Sequence, residues 1–188
     1  MTVPEAVSIT SAFQETMLAA KPAGEMESCS VLQTDDAFWK VFEFDFISGK
    51  PYDNADFDAG AAKAVISEDM ARRLFGTSEV VGKTFLLNHT AYLISGVVRP
   101  VSKLARYAYA QVWIPLSSTN AFTTTWGDEN IMGLVAVLIL AKSTDDFPAI
   151  HNEADRLRAV FMAGHPNFDL LYRGQPDTQL AYLYRRWY

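Results

Sequence analysis

Apolar and polar residues alternate along much of the chain, and this two-residue period predicts β-strands. The predicted strands lie at residues 7–10, 13–20, 27–33, 64–66, 84–87, 91–98, 111–116, 134–140 and 168–172. Asn88 and His89 separate two of them and predict a tight hairpin turn, because Asn tolerates a positive φ. Pro115 cannot donate to a ladder and predicts an edge strand. The run 134–140 is apolar throughout, which predicts a strand covered on both faces.

A helical period of apolar residues marks three segments, at residues 35–42, 67–76 and 145–164. The second is the best marked, because Ser67 can cap its N-terminus and Gly76 can supply a left-handed residue at its end. Residues 53–60 are rich in Asp and predict a loop. Strands and helices occur in mixed order, with more strand than helix, so the predicted fold class is α+β.

The composition is that of a folded globular protein, because 49% of the 188 residues are hydrophobic and 20% are charged. The net charge of −6 argues against nucleic-acid binding, which depends on basic side chains near phosphates. The longest uncharged apolar run, 133–141, is about half the ~18 residues of a membrane span. The first residues lack the features of a signal peptide. We therefore expect either a cytosolic protein or part of a longer chain.

No pattern in the chain predicts catalytic, cofactor-binding or metal-binding residues. The Gly-rich phosphate loop and the dinucleotide-binding motif are absent, and the three His residues lack the spacing of a metal pair. Asp53, Asp56 and Asp58 precede a Gly, but no Glu closes a calcium loop, so a solvated turn is favoured. Cys29 has no second Cys to pair with, and we expect a buried thiol.

Four aromatic residues are candidates for contact with a ligand or partner: Tyr107, Tyr109, Trp113 and Trp126. Aromatic side chains with a polar group suit such contacts. Alternating aromatic residues also pack against sheets, and the sequence favours that alternative for 107–113. The segment 176–188 is aromatic and basic, which is typical of a membrane-interface segment, with a frayed terminus as the alternative.

Six segments between residues 35 and 116 resemble one known family. They lie at 35–42, 49–52, 64–76, 81–84, 92–98 and 112–116 and read DDAFWKVF, GKPY, AVISEDMARRLFG, VGKT, YLISGVV and VWIPL. In this order and spacing they are similar to the extracytoplasmic core domain of MacB-like ABC transporter permeases, which have the FtsX-type membrane fold. Each segment alone would be weak evidence, and the specificity lies in their arrangement.

The resemblance implies a domain outside the cytoplasmic membrane, between the first and second transmembrane helices of a permease. It implies two lobes. Residues 1–34 plus 116–175 would form a membrane-proximal Porter-like lobe, and residues 35–115 an inserted Sabre-like lobe. The segment 176–188 would be a juxtamembrane tail.

The resemblance also implies that the domain performs no chemistry and holds no cofactor, because a separate or linked cytoplasmic ATPase would hydrolyse ATP. The expected partners are that ABC ATPase, a second permease copy and an extracytoplasmic adaptor or effector protein, with the membrane reached through flanking helices. The expected location is the periplasmic face of a bacterial inner membrane. There the domain would transmit ATP-driven conformational change to a substrate or partner. Drug or peptide efflux, lipoprotein handling and activation of a cell-wall enzyme all occur on this scaffold.

An alternative hypothesis is a stand-alone extracytoplasmic ligand-binding or sensor module. It would share the fold and use a groove around Tyr107, Tyr109 and Trp113. Hydrophobic runs of ~20 residues on both sides of this sequence in the gene would favour the permease over the module.

Overall fold

The computed structural model describes residues 4–12, 14–21, 24–119, 135–167 and 174–185. The strands in these ranges are β1 Ala6–Ser11, β2 Glu15–Ala20, β3 Met26–Thr34, β4 Phe46–Gly49, β5 Lys63–Ser67, β6 Thr84–Leu87, β7 Thr90–Val98, β8 Val112–Pro115 and β9 Val135–Leu140. The helices are α1 Phe38–Val41, α2 Asn54–Asp58, α3 Glu68–Phe75, α4 Phe147–Gly164 and α5 Gln179–Arg185. More residues are in strands than in helices, so the predicted fold class is confirmed.

The chain divides into two compact units. The larger unit is Ala6–Ile139, and the smaller consists of the described residues of Met1–Glu5 and Leu140–Tyr188, with α4 and α5. These limits differ from the lobe boundaries that the resemblance implies, because β2 and β3 pair with strands that lie within residues 35–115. The assignment of Porter-like and Sabre-like lobes stays a prediction.

The larger unit is built around a closed ring of six strands. Their order is β2, β6, β7, β5, β8 and β3, and β3 pairs back to β2. The β3–β8 and β5–β7 pairs are parallel, and the other ring pairs are antiparallel. Each ring strand therefore has a hydrogen-bonded neighbour on both sides, which removes the free edges that an open sheet would have.

Two nine-residue strands, β3 and β7, join further strands to the ring. β2 pairs with the first part of β3, and β1 continues along the same edge with Thr10 opposite Thr34. In the same way, β6 pairs with the start of β7, and β4 pairs with its end, where Gly49 lies opposite Gly96. β9 is the outer neighbour of β1.

The side chain of Asp35 fixes β1 to the segment that follows β3. Its carboxylate accepts hydrogen bonds from the Ser8 hydroxyl and from the Ile9 backbone N–H, both at 2.7 Å. It also accepts from the backbone N–H of Phe38, the first residue of α1, at 3.0 Å. One carboxylate thus joins β1 to the start of α1.

All six ring strands contribute side chains to one buried interior cluster, to which α3 adds Met70, Ala71 and Leu74. The strand residues of this cluster are Ala19, Cys29, Val31, Ala64, Ile66, Phe85, Leu87, Tyr92, Ile94, Val97, Val112 and Ile114. These residues recur every second position within a strand, as the alternation of side chains across a sheet requires. The exception is Val97, three residues after Ile94, where the register between β5 and β7 shifts.

A second buried cluster lies on the opposite face of β3, β5 and β8. Leu32 and Val65 are both paired with Trp113 of β8 there, and all three are buried. β5 and β8 are buried on both faces along most of their length, and their sequences KAVIS and VWIP are accordingly almost continuous apolar runs. β3 is buried on both faces only in its second half, where its sequence is mixed. The buried strand predicted at 64–66 is confirmed.

Aromatic rings from α1 and the residues after it cover this second cluster. The Trp39 ring lies 5.3 Å from the rings of Phe38 and Tyr52, both edge-to-face. Tyr52 is fully buried, and its hydroxyl is hydrogen bonded to the Thr34 hydroxyl. Burial raises the pKa of Tyr52 well above its ordinary value, so this hydroxyl stays protonated and serves packing.

The predictions for α3 and for the hairpin are confirmed. Ser67 Oγ accepts a hydrogen bond from the Met70 N–H, and Gly76 ends the helix with a φ of 74°. Asn88 and His89 both have positive φ, 45° and 69°, in the two-residue turn between β6 and β7. Both predictions rest on residues within the helix ends or the turn itself, so neither depends on how the rest of the chain packs.

Three other predictions are wrong. Residues 53–60 are not only a loop, because Asp53 caps the short helix α2. β8 is not an edge strand, because β3 and β5 both pair with it. Pro115 is tolerated because β5 pairs only with Val112 and Trp113, so Pro115 lies beyond that ladder. β9 is only partly covered, with Val137 58% exposed. The strand predicted at 168–172 lies outside the described residues.

We predict that Leu74→Ala lowers the free energy of unfolding by about 2–5 kcal/mol, because Leu74 is buried in the ring interior. Leu104→Ala is the matched control, since Leu104 is 85% exposed and should change stability by less than about 0.5 kcal/mol. Urea denaturation followed by circular dichroism measures both. Equal effects of the two substitutions would contradict the interior position of α3.

Gly49→Ala should destabilise the fold much more than Gly82→Ala. Both glycines have positive φ, which costs an Ala about 1–2 kcal/mol. A Cβ on Gly49 would also overlap the Ser95 carbonyl oxygen, whereas nothing lies within 4 Å of a Cβ on Gly82. The overlap should add about 1–3 kcal/mol. Thermal unfolding of both variants provides the measurement, and similar melting temperatures would contradict the close approach of β4 to β7.

Candidate functional site

The segment 99–111 connects β7 to β8 and carries two of the candidate contact residues, Tyr107 and Tyr109. It is folded on itself, because the backbone N–H groups of Ala108 and Tyr109 both donate to the Ala105 carbonyl oxygen, at 2.8 and 2.7 Å. The Ala105 N–H donates in turn to the Ser102 carbonyl oxygen at 3.0 Å. The segment therefore has a defined backbone shape of its own.

Two side chains outside this segment hold it in place. Gln14, between β1 and β2, donates through Nε2 to the carbonyl oxygens of Arg106 at 3.0 Å and Tyr109 at 2.6 Å. Trp113 Nε1 donates to the Ala108 carbonyl oxygen at 3.1 Å from within the buried cluster. These bonds tie residues 106–109 to the ring.

The structure separates the four candidate residues into different environments. Tyr107 and Tyr109 are both half-buried, and the Lys103 ammonium lies 5.9 Å from the centre of the Tyr109 ring. Trp113 is fully buried, so it offers no surface to a partner and belongs to the core. Trp126 lies outside the described residues. Of the candidate residues that the structure describes, Tyr107 and Tyr109 are thus the ones that a partner could contact, and both lie in the segment 99–111.

Sequence reasoning missed Gln14 as part of this site. A single Gln between two short strands carries no motif, and its two acceptor carbonyls are 92 and 95 positions away in the chain. Only the bonds between β1–β2 and the later strands bring it close. No signal in the sequence could have identified it.

The three carboxylates of residues 53–58 are used within the fold. Asp53 and Asp56 form a reciprocal capping box at the start of α2, and Asp56 also pairs with the Lys63 ammonium at 2.5 Å. The hydrogen bond from Lys63 lowers the pKa of Asp56. Asp58 is exposed and accepts a hydrogen bond from the Asn54 side chain at 2.6 Å. Asp56 is thus more than a solvated residue.

Metal and thiol chemistry find little support in this arrangement. Within the described ranges, no three His, Cys, Asp or Glu side chains are grouped so that they could hold a metal ion. Cys29 is buried in the ring interior, and this burial raises the pKa of its thiol to about 11, although the nearby Arg73 charge opposes the shift. A thiol with so high a pKa is a poor nucleophile.

The comparison with known families decides the identity of the domain. Residues 2–157 match the MacB-like periplasmic core domain. The chain belongs to this family. The resemblance noted from six short segments is therefore confirmed over most of the sequence.

Two curated proteins are similar to this MacB-like domain. It is 24% identical over 149 residues to the uncharacterized ABC transporter permease YknZ of Bacillus subtilis, covering 79% of this chain and 36% of YknZ. It is 29% identical over 91 residues to the macrolide export ATP-binding/permease protein MacB of Pasteurella multocida, covering 48% of this chain and 14% of MacB. The chain thus spans only a minor part of either relative.

Two solved structures share its fold. The extracellular domain of the noncanonic ABC-type transporter YknZ from Gram-positive bacteria has a TM-score of 0.63 and 20% identity, covering 82% of this chain and 74% of that one. The periplasmic region of MacB from Actinobacillus actinomycetemcomitans has a TM-score of 0.64 and 15% identity, covering 85% and 69%. In the described part of the MacB-like domain, no helix has the length and hydropathy for crossing a membrane.

Asp56→Ala should lower the free energy of unfolding by about 1–2 kcal/mol, since it removes half of the capping box and the Lys63 pair. Asp58→Ala, the matched control, should stay within about 0.5 kcal/mol. Because the pKa of Asp56 is lowered from its ordinary value of 3.8, its stabilising effect is present above pH 3.8 and is lost as the pH falls below that value.

Urea denaturation between pH 3 and pH 7 measures this difference between wild type and Asp56→Ala. The difference in the free energy of unfolding should be constant near neutral pH and should shrink as the pH falls below 3.8. A gap that widens in acid, or that Asp58→Ala shares, would contradict the role assigned to Asp56.

Proposed function

We propose that this domain transmits movement outside the membrane as part of an ABC permease. In this proposal, ATP hydrolysis by a cytoplasmic ATPase moves the permease helices, and the domain passes that movement to a substrate or partner protein. The observation that carries the proposal is the family match over residues 2–157. The domain would stand on the extracytoplasmic face of a bacterial inner membrane.

The architecture of the larger unit suits a mechanical role. A closed ring of strands distributes a load on one strand to neighbours on both sides, because every ring strand is hydrogen bonded along two edges. Close packing on both faces of β3, β5 and β8 resists deformation further. Such a unit would move as a body under load.

The partners in this proposal follow from the family. They are an ABC ATPase, separate from the permease or linked to it, and a second permease copy. An adaptor or effector outside the membrane would receive the movement. The domain itself would hold no cofactor and perform no chemistry. Export of a small molecule or peptide is one use of such a device, as the name of the Pasteurella multocida relative says of that protein.

The alternative of a stand-alone ligand-binding module has less support. Its aromatic groove would have used Tyr107, Tyr109 and Trp113, but Trp113 is fully buried. Tyr107 and Tyr109 lie in a segment held against the ring, with both side chains half-buried. We therefore favour the mechanical role.

The proposal predicts that ATP turnover changes the distance between the extracytoplasmic domains of two permease copies. In the full-length permease with its ATPase, a nitroxide attached through Glu79→Cys would report this distance by double electron–electron resonance. Glu79 is exposed, and Cys29 can remain because a buried thiol should not react with the label. We expect different distance distributions without nucleotide and in the vanadate-trapped state.

The control is the same permease with an ATPase that binds but cannot hydrolyse ATP, which should not reach the vanadate-trapped distribution. An unchanged distance during turnover in an active transporter would refute the transmission of movement. A gene without membrane-spanning segments around this domain would refute the permease itself.

A further inference from the structure

Leu104 is the most exposed of the large apolar side chains in the described residues, at 85%. It lies in the segment 99–111 between β7 and β8, three residues before Tyr107. A single exposed Leu is common on protein surfaces. This one is notable because of the charges beside it and the hydrogen-bonded backbone that follows it at residues 105–109.

The sequence next to Leu104 carries positive charge, although the whole chain has a net charge of −6. Lys103 and Arg106 flank it, and residues 100–111 contain no Asp or Glu. Neither cation forms an ion pair with any residue that the structure describes. An acidic molecule would therefore be attracted here and repelled by the chain as a whole.

The backbone of this segment is ordered before any partner binds. Gln14 holds the carbonyl oxygens of Arg106 and Tyr109, and Trp113 holds that of Ala108 from the core. A surface that is already ordered loses less conformational entropy on binding. The domain's side of such a contact would therefore be formed in advance.

We propose that Lys103, Leu104 and Arg106 form a docking surface for an acidic segment of a partner protein, with Leu104 inserted between carboxylates that pair with the two cations. A protein is favoured over an anionic membrane because a fluid lipid surface gains nothing from the fixed backbone at 105–109. The inference deepens the proposed function, on which it rests only for the partner's location outside the membrane.

The test uses the ¹⁵N-labelled domain and a synthetic probe, the peptide acetyl-Glu-Glu-Leu-Phe-Glu-Glu-amide, at low ionic strength. Amide signals of residues 102–107 should shift on titration, and the shifts should vanish as salt is added. A peptide with Gln in place of every Glu controls for charge. Vesicles of phosphatidylglycerol, tested by co-sedimentation, control for lipid binding.

The double variant K103E/R106E should weaken peptide binding about fivefold or more, since each charge pair changes from attraction to repulsion. Leu104→Ala should weaken it with the salt dependence intact. The double variant K21E/K142E makes the same charge change at two other exposed Lys residues and should leave affinity unchanged. Retained signal dispersion in every variant would show that the fold is intact.

Several results would overturn the proposal. They are an absence of shifts, shifts that map elsewhere on the domain, equal binding of the Gln peptide, or vesicle binding that depends on Lys103 and Arg106 without peptide binding. All of these measurements use the isolated domain. A negative result in these binding measurements would therefore say nothing against the proposed movement, which the distance measurements in the full-length permease test. A negative result in the distance measurements would likewise say nothing against this docking surface.

Discussion

The larger unit depends on the burial of β3, β5 and β8 on both faces. A strand in that position cannot hydrogen bond to water, so its backbone groups must be paired by neighbouring strands. The ring meets this requirement, with β2 completing the circuit between β3 and β6. The same constraint applies to the buried indole of Trp113, whose N–H reaches the Ala108 carbonyl oxygen. A core side chain thereby holds the segment 99–111 in place.

The local elements could be predicted from the sequence, and the ring could not. Ser67 starts α3 and Gly76 ends it through interactions within one helical turn. Asn88 allows the hairpin because its backbone accepts a positive φ. The two-residue period of a strand, in contrast, indicates that a segment is extended and does not show which other strands pair with it. The β2–β6 and β3–β8 pairs join residues far apart in the chain. The prediction that Pro115 marks an edge strand failed for the same reason. The position where the distant strand β5 ends determines whether a proline is tolerated there, and the local sequence does not show it.

The candidate site was predictable in part. The contact role of Tyr107 and Tyr109 stays a prediction, while the alternative of core packing holds for Trp113. The role of Gln14 depends on long-range pairing and leaves no trace in local sequence. Family resemblance was more informative than site chemistry, because the role proposed here would need a shape and a path for force, and neither requires a reactive residue.

The continuation of β1 into β2 along one edge of β3 determines how this domain would meet tension. The hydrogen bonds of an antiparallel ladder are perpendicular to the strands. A pull along β1 would therefore load its pairing with β3 in shear. The Asp35 carboxylate, bound to Ser8 and Ile9, adds a clasp at the point where the pull enters. Tension along the first strand would thus be carried jointly by the pairing of Thr10 with Thr34 and by the hydrogen bonds of Asp35.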